Sequence, residues 1–183
     1  MVTQTQEGII LYKSKGFTLI ELILVIVLIG ILAIVAAPKA LRLSSDARIA
    51  TLEGMQGAMQ SGAQLIYSRA LIEEKTDGSD SITVNGATIE LHSGYPVGNW
   101  QAGIRYIVDL DDIPFSNTGV ECTTEWCGRG NQTSLASGVS TTSPGRLGKI
   151  WPEGFTWADQ CGVYYINHEN GLPPEFGIES EDC

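Results

Sequence analysis

Between Phe17 and Ala37 the chain carries one ionisable side chain, Glu21, and one other polar residue, Thr18. A carboxylate near the middle of a bilayer costs about 2.5–3.5 kcal/mol even on a lenient insertion scale. Glu21 therefore calls for a cationic partner, or for a route by which its stem reaches the interface. The other residues with chemical potential are Cys122, Cys127, Cys161 and Cys183, all in the last third of the 183-residue chain. An even set beyond an apolar, membrane-directed segment suits disulfides in an oxidising compartment, and three pairings are open. A four-cysteine zinc centre is the rival, but the paired C-x-x-C spacing of such sites is missing. Hydrolytic chemistry lacks its parts: only His92 and His168 could serve as general bases, and no G-x-S-x-G string is present. Both histidines read as exposed loop or strand residues. Asp109, Asp111 and Asp112 raise calcium, yet the EF-hand pattern is absent and they read as a solvated acidic face. No cofactor is implied and the chain is read as non-enzymatic.

The elements that must position these residues follow from composition and period. Phe17–Ala37 is 21 residues, about 32 Å as a helix, which matches a hydrocarbon core of about 30 Å. Lys13 and Lys15 precede it, so the positive-inside rule leaves the N-terminus in the cytoplasm and the rest outside. A secretory signal peptide cut after Val35-Ala36-Ala37 is the competing reading. Its apolar core is too long for that, and Pro38 would follow the scissile bond directly. Gly30 weakens the helix by about 1 kcal/mol relative to Ala, and a kink is expected at Pro38.

Beyond Pro38 the helical period continues while the composition turns amphipathic. Leu41, Ile49, Leu52, Met55, Met59, Ala63, Ile66 and Ala70 recur mostly at three- and four-residue steps, with Asp46, Glu53, Gln60 and Gln64 elsewhere around the helix. This predicts one helix to about Glu74, 58 residues from Phe17 and about 87 Å long. Asp77-Gly78 stops it. Ser81–Val84 and Ala87–Leu91 flank Asn85-Gly86, a strong hairpin signal. Gly94-Tyr95-Pro96 reads as a turn, Gln101–Asp112 as either helix or strand, and Ser134–Gly148 as an exposed loop. Lys149–Trp157 and Gly162–Asn167 read as strands. Trp100, Trp126, Trp151 and Trp157 are assigned to the core of this head and its contacts. With 11 basic against 21 acidic residues, a formal charge of −10 and no basic cluster, direct nucleic-acid binding is excluded.

The string Gly16-Phe17-Thr18-Leu19-Ile20-Glu21-Leu22 resembles the processing signature of type IV pilins and pseudopilins. The resemblance implies cleavage between Gly16 and Phe17 by a prepilin peptidase, and N-methylation of Phe17 by the same enzyme. It also implies an α+β, pilin-like fold, with a long N-terminal helix packed on a small antiparallel sheet. Residues 1–16 would be the cleaved leader, 17–38 the membrane and assembly half of the helix, 39–74 its amphipathic half, and 75–183 the head. Glu21 would meet the new Phe17 ammonium of a neighbouring subunit and set its register. Gly30 and Pro38 would bracket a stretch able to lengthen in the filament. A disulfide near the C-terminus closes a surface loop in the family, and Cys161 with Cys183 occupy that place, leaving Cys122 with Cys127. Closing the larger loop would stabilise by about 3 kcal/mol. Partners would be copies of itself in a helical filament, the prepilin peptidase, an inner-membrane assembly platform and, before assembly, the bilayer. The precursor would sit in the inner membrane and the product in a surface pilus. Ala36-Ala37-Pro38-Lys39, Asp46-Ala47-Arg48, Tyr67–Ile72 and Gly94–Val97 further resemble the mannose-sensitive haemagglutinin type of major pilin, an attachment fibre. A pseudopilin or minor pilin of a secretion or assembly machine is the alternative.

Overall fold

A computed structural model describes residues 16–108 and 113–183, and within its helix the side chains at 35 and 37–42 lie outside the description. The readings placed on Lys13, Lys15, Asp109, Asp111, Asp112 and the Pro38 kink therefore fall outside the described residues. One helix, α1, covers Leu19–Ile72, and the chain divides into two units, Met1–Ser44 and Ser45–Cys183. In the first unit every side chain from Phe17 to Ile34 is exposed. Among the described residues no helix is long and apolar enough to cross a membrane. The unbroken run of described helical side chains, Leu19 to Ile34, is 16 residues, short of the roughly 20 a span needs. The apolar run of the sequence continues to Ala37.

In the second unit, Leu52, Met55, Met59, Ala63, Ile66 and Ala70 form the buried seam of α1, while Asp46, Glu53, Gln60 and Gln64 are exposed. Full burial of each larger apolar side chain contributes about 1.5–3 kcal/mol. The helix ends before Asp77-Gly78. Glu74 takes a left-handed φ of 57°, and the Lys75 and Glu74 amides donate to Ala70 O at 2.8 Å and Leu71 O at 3.2 Å. That paired closure satisfies the last carbonyls.

Two antiparallel sheets stand where one was expected. The first has the order β1 (Ser79–Val84), β2 (Ala87–His92), β3 (Tyr95–Pro96). Asn85 and Gly86 have φ of 51° and 82°, the left-handed pair a two-residue hairpin turn requires. A second left-handed pair falls at Ser93 and Gly94, φ 54° and 79°. The turn thus sits one residue earlier than the Gly94-Tyr95-Pro96 reading, and Tyr95 and Pro96 join β3. Tyr95 stacks on Tyr67 of α1 at 4.4 Å between ring centroids.

The second sheet runs β4 (Trp126–Gln132), β5 (Arg146–Pro152), β6 (Gly162–Asn167), β7 (Glu175–Glu179), each strand beside its sequence neighbour. β6 lies where its sequence placed it. β5 is displaced from the expected Lys149–Trp157: it begins at Arg146, which shortens the preceding loop, and ends at Pro152 because the chain turns at Glu153-Gly154. β4 and β7 were not foreseen. In β4 the signal was hidden by Gly128 and Gly130, which break any alternation. Gly128 has a tertiary reason, since a Cβ there would overlap the indole ring of Trp100. Residues 104–106 of the undecided Gln101–Asp112 stretch form a single 3₁₀ turn.

The two sheets are joined by buried hydrogen bonds. Tyr165 Oη donates to Pro96 O at 2.5 Å, and Asn167 Nδ2 donates to the same carbonyl at 3.0 Å. The main core lies among the α1 seam, Ile82, Ile89 and Leu91 of the first sheet, and Ile150, Val163 and Tyr165 of the second. On the opposite face of the second sheet, Leu147, Trp151, Trp157 and Ile166 pack with Cys122 and Cys127 as a smaller core. Trp100, Trp151 and Trp157 are buried and Trp126 half-buried.

Candidate functional site

The residues singled out in the sequence fall into one group at the start of α1 and another around the chain's C-terminal strand. Gly16 and Phe17 are exposed, in non-helical backbone just ahead of Leu19. The peptide bond between them thus lies outside the helix and is exposed. Thr18 and Glu21 close the helix end. The Thr18 amide and hydroxyl donate to Glu21 Oε2 at 3.0 and 2.9 Å, and the Glu21 amide donates to Thr18 Oγ1 at 3.3 Å. This is a capping box, in which residues three apart satisfy each other's orphan amides. It is legible in the sequence as T-x-x-E ahead of an apolar run. Gly30 lies within α1 with open space where a Cβ would stand. Pro38 lies within the range of α1, its ring outside the description.

In the second unit, Cys122 is bonded to Cys127 and Cys161 to Cys183, with Cα–Cα separations of 5.7 and 5.1 Å. Among the described residues no group of His, Cys, Asp and Glu side chains could hold a metal ion. The Cys161–Cys183 bond adjoins a buried polar cluster that pattern reading missed. Lys149 Nζ donates to Asp159 O and Glu179 Oε2, both at 2.5 Å, and to Trp157 O at 3.4 Å. Glu179 reads in the sequence as the start of an acidic tail. Here it is buried, because β7 carries it against β5 by way of β6. Arg48 of α1 donates to Cys183 O at 3.1 Å and lies 5.4 Å from the centre of the Phe155 ring. The C-terminal strand is therefore held by a covalent bond, a buried ion pair and a cation resting on an aromatic face.

Both histidines are half-buried rather than exposed, since each lies at the end of a paired strand. His92 Nδ1 meets the Ser93 hydroxyl at 3.1 Å. His168 contacts Thr141 and Thr142. The Ser93 hydroxyl is the next residue in the chain from His92, and the hydroxyls that meet His168 are threonines.

The prokaryotic N-terminal methylation motif matches residues 11–37. The chain is 40% identical over 63 residues to the type IV narrow pilus major component PilA5 of Thermus thermophilus, covering 34% of this chain and 51% of that one. It is 34% identical over 80 residues to the fimbrial protein EcpB of Eikenella corrodens, covering 44% of this chain and 50% of that one. The N-terminal segment thus carries the prokaryotic methylation motif and is similar to a pilus component and a fimbrial protein. The chain spans about half the length of the curated relatives it matches. No solved structure matches it.

At this N-terminus the capping box has a direct chemical meaning. Glu21 is not an isolated charge: it already accepts two bonds from Thr18 through one oxygen. A carboxylate offers about four lone-pair sites, so the cap leaves capacity for a further donor. The Lys149–Glu179 cluster had no local signal at all, since the two partners stand 30 residues apart.

Proposed function

We propose that the chain is a structural subunit that polymerises into a bacterial surface type IV pilus used in attachment. The observation that carries this reading is Glu21, a carboxylate set in an apolar helical surface whose described side chains, Phe17 to Ile34, are all exposed. An apolar surface of that extent needs lipid or other copies of itself. The names of the two relatives, a pilus component and a fimbrial protein, point the same way.

The chemistry runs as follows. A prepilin peptidase at the cytoplasmic face hydrolyses the Gly16–Phe17 bond, and the same enzyme methylates the new amino group. That α-amino group is cationic below a pKa of about 8. Glu21, positioned by its Thr18 cap, receives the ammonium of a neighbouring copy as the apolar helices bundle. An unpaired buried charge is strongly unfavourable while a matched pair is tolerated, so the pairing selects axial register. Subunits wait in the inner membrane, are drawn into the filament by an assembly platform, and end in a surface pilus. Gly30 and Pro38 give the helix the places where it can adjust. The strings around Pro38, Arg48, Tyr67 and Tyr95 favour the mannose-sensitive haemagglutinin type, and the role is structural rather than catalytic.

The test is intact mass and N-terminal sequencing of protein sheared from the cell surface. The expected chain begins at methylated Phe17. A chain beginning at Pro38, or Met1 retained in the membrane with nothing sheared, would overturn the reading. Glu21→Ala should still be cleaved and membrane-held, with sheared pili reduced at least about tenfold, the loss of one matched buried charge pair. Abundant normal pili from that variant would remove the pairing role.

A further inference from the structure

The β4–β5 connection is rich in hydroxyls, and Thr141 and Thr142 within it rest on the imidazole of His168. Nδ1 of that ring lies 3.2 Å from the Thr142 backbone nitrogen. It lies 3.3 Å from both the Thr141 and the Thr142 hydroxyl. A backbone amide can only donate. Nδ1 must therefore be the unprotonated acceptor, and the neutral ring carries its proton on Nε2, which stands 3.6 Å from Glu175 Oε2 on β7.

We propose that His168 is a pH-sensitive latch for the Thr141–Thr142 segment, which leads into one wall of the polar cleft alongside. That cleft, about 450 Å³, is bordered by Asp80, Glu90, Asn131, Pro144, Arg146 and Glu169. Pro144 and Arg146 follow the latched segment in the chain.

Protonation turns Nδ1 into a donor facing the Thr142 N–H. The two threonine hydroxyls can rotate and accept instead, but the amide cannot reverse its role. The amide is left without its acceptor while the cationic ring gains attraction to Glu175. The latch thus exchanges a bond to the loop for an ion pair to β7.

The charged and titratable groups around the ring come from each neighbouring element. Glu175 on β7 favours the cation and is itself met by the Tyr164 hydroxyl of β6 at 3.4 Å. Glu169 is next in the chain, and Arg146 on β5 is the strand partner of Asn167. Arg146 Nη1 donates to Pro144 O at 2.7 Å and Gly145 O at 2.9 Å, and the Thr141 amide donates to Thr133 O at 3.0 Å. Those bonds do not depend on the imidazole, so release is confined to the neighbourhood of Thr142.

Hydrogen exchange followed by mass spectrometry on the full chain in detergent tests this. Protection of the peptide containing Thr142, corrected for the intrinsic pH dependence of exchange, should fall about fivefold or more from pH 7.5 to pH 5.0. The β6 peptide should hold its protection. His168→Asn sets an amide oxygen near the place of Nδ1 and does not titrate, so its Thr142 peptide should stay protected at both pH values. Equal wild-type protection at the two pH values would overturn the latch. So would the same acid loss in His168→Asn. If that variant does not fold, the wild-type comparison still decides.

Discussion

Replacing Lys149 with Met tests the reasoning most severely, because its expected cost comes from burial and partners rather than from shape. The Lys149 and Glu179 side chains are 1% and 5% exposed. Removing the ammonium strands a carboxylate whose Oε1 already lacks a hydrogen-bond partner, and it deprives Trp157 O and Asp159 O of their donor. Breaking one side of a buried pair costs about 3–5 kcal/mol, a large share of the roughly 5–15 kcal/mol that holds a domain folded. At about 2–4 °C per kcal/mol for a chain of this size, the melting midpoint should fall by roughly 6–20 °C. Glu179→Leu alone should cost a similar amount, since it leaves a buried cation. The double variant Lys149→Met/Glu179→Leu removes both charges and should recover most of the loss, because an apolar pair of similar volume often matches a buried ion pair. Thermal and urea unfolding of the three variants, followed by circular dichroism, complete the cycle. A Lys149→Met cost under about 1 kcal/mol, the value of an exposed pair, would refute the burial argument. A double variant as unstable as the sum of the singles would refute the pairing.

The disulfides should separate by loop length: Cys161→Ser/Cys183→Ser opens a separation of 22 residues and Cys122→Ser/Cys127→Ser one of 5. The chain-entropy model gives losses of about 3 and about 2 kcal/mol, so urea midpoints should drop further for the first, and the reverse order would count against an entropic origin. Tyr165 predicts an alkaline limb. Burial holds its hydroxyl well above the ordinary range for tyrosine. Above about pH 10 the unfolded chain loses this proton while the folded chain keeps it, so stability is full below pH 10 and falls above it by about 1.4 kcal/mol per pH unit. Tyr165→Phe should lose about 1 kcal/mol near neutrality with the bond to Pro96 O, and should flatten that limb. Tyr95 and Tyr164, also raised by burial, would leave a residual slope. Wild-type and variant stability curves that run parallel from pH 9 to 11 would exclude Tyr165 as the source.

Much of the fold was legible where the determining physics is local. The α1 seam follows from a 3.6-residue period, and every core position read between Leu52 and Ala70 is buried. Asn85-Gly86 made its hairpin because the left-handed turn it needs is written in two adjacent residues. The two missed strands show the limit. β4 contains Gly128, which makes sense only once the Trp100 ring lies over it. β7 follows Pro173-Pro174 and carries Glu at both ends, so by composition it reads as a tail. It becomes a strand because β6 offers it a ladder from Gly162↔Glu179 to Ile166↔Glu175.

By itself, then, the sequence determined the N-terminal methylation motif, the long helix and its buried seam, the first hairpin and β6. In each, the information lies within a few residues of the structure it specifies: a cap, a period, a turn or an apolar run. Only the tertiary structure decided that the head holds two sheets, that Asn167 and Tyr165 tie them together through Pro96, and that an apparently solvated Glu179 is the buried partner of Lys149. Those outcomes depend on which distant groups exclude water from one another, and no local pattern records that.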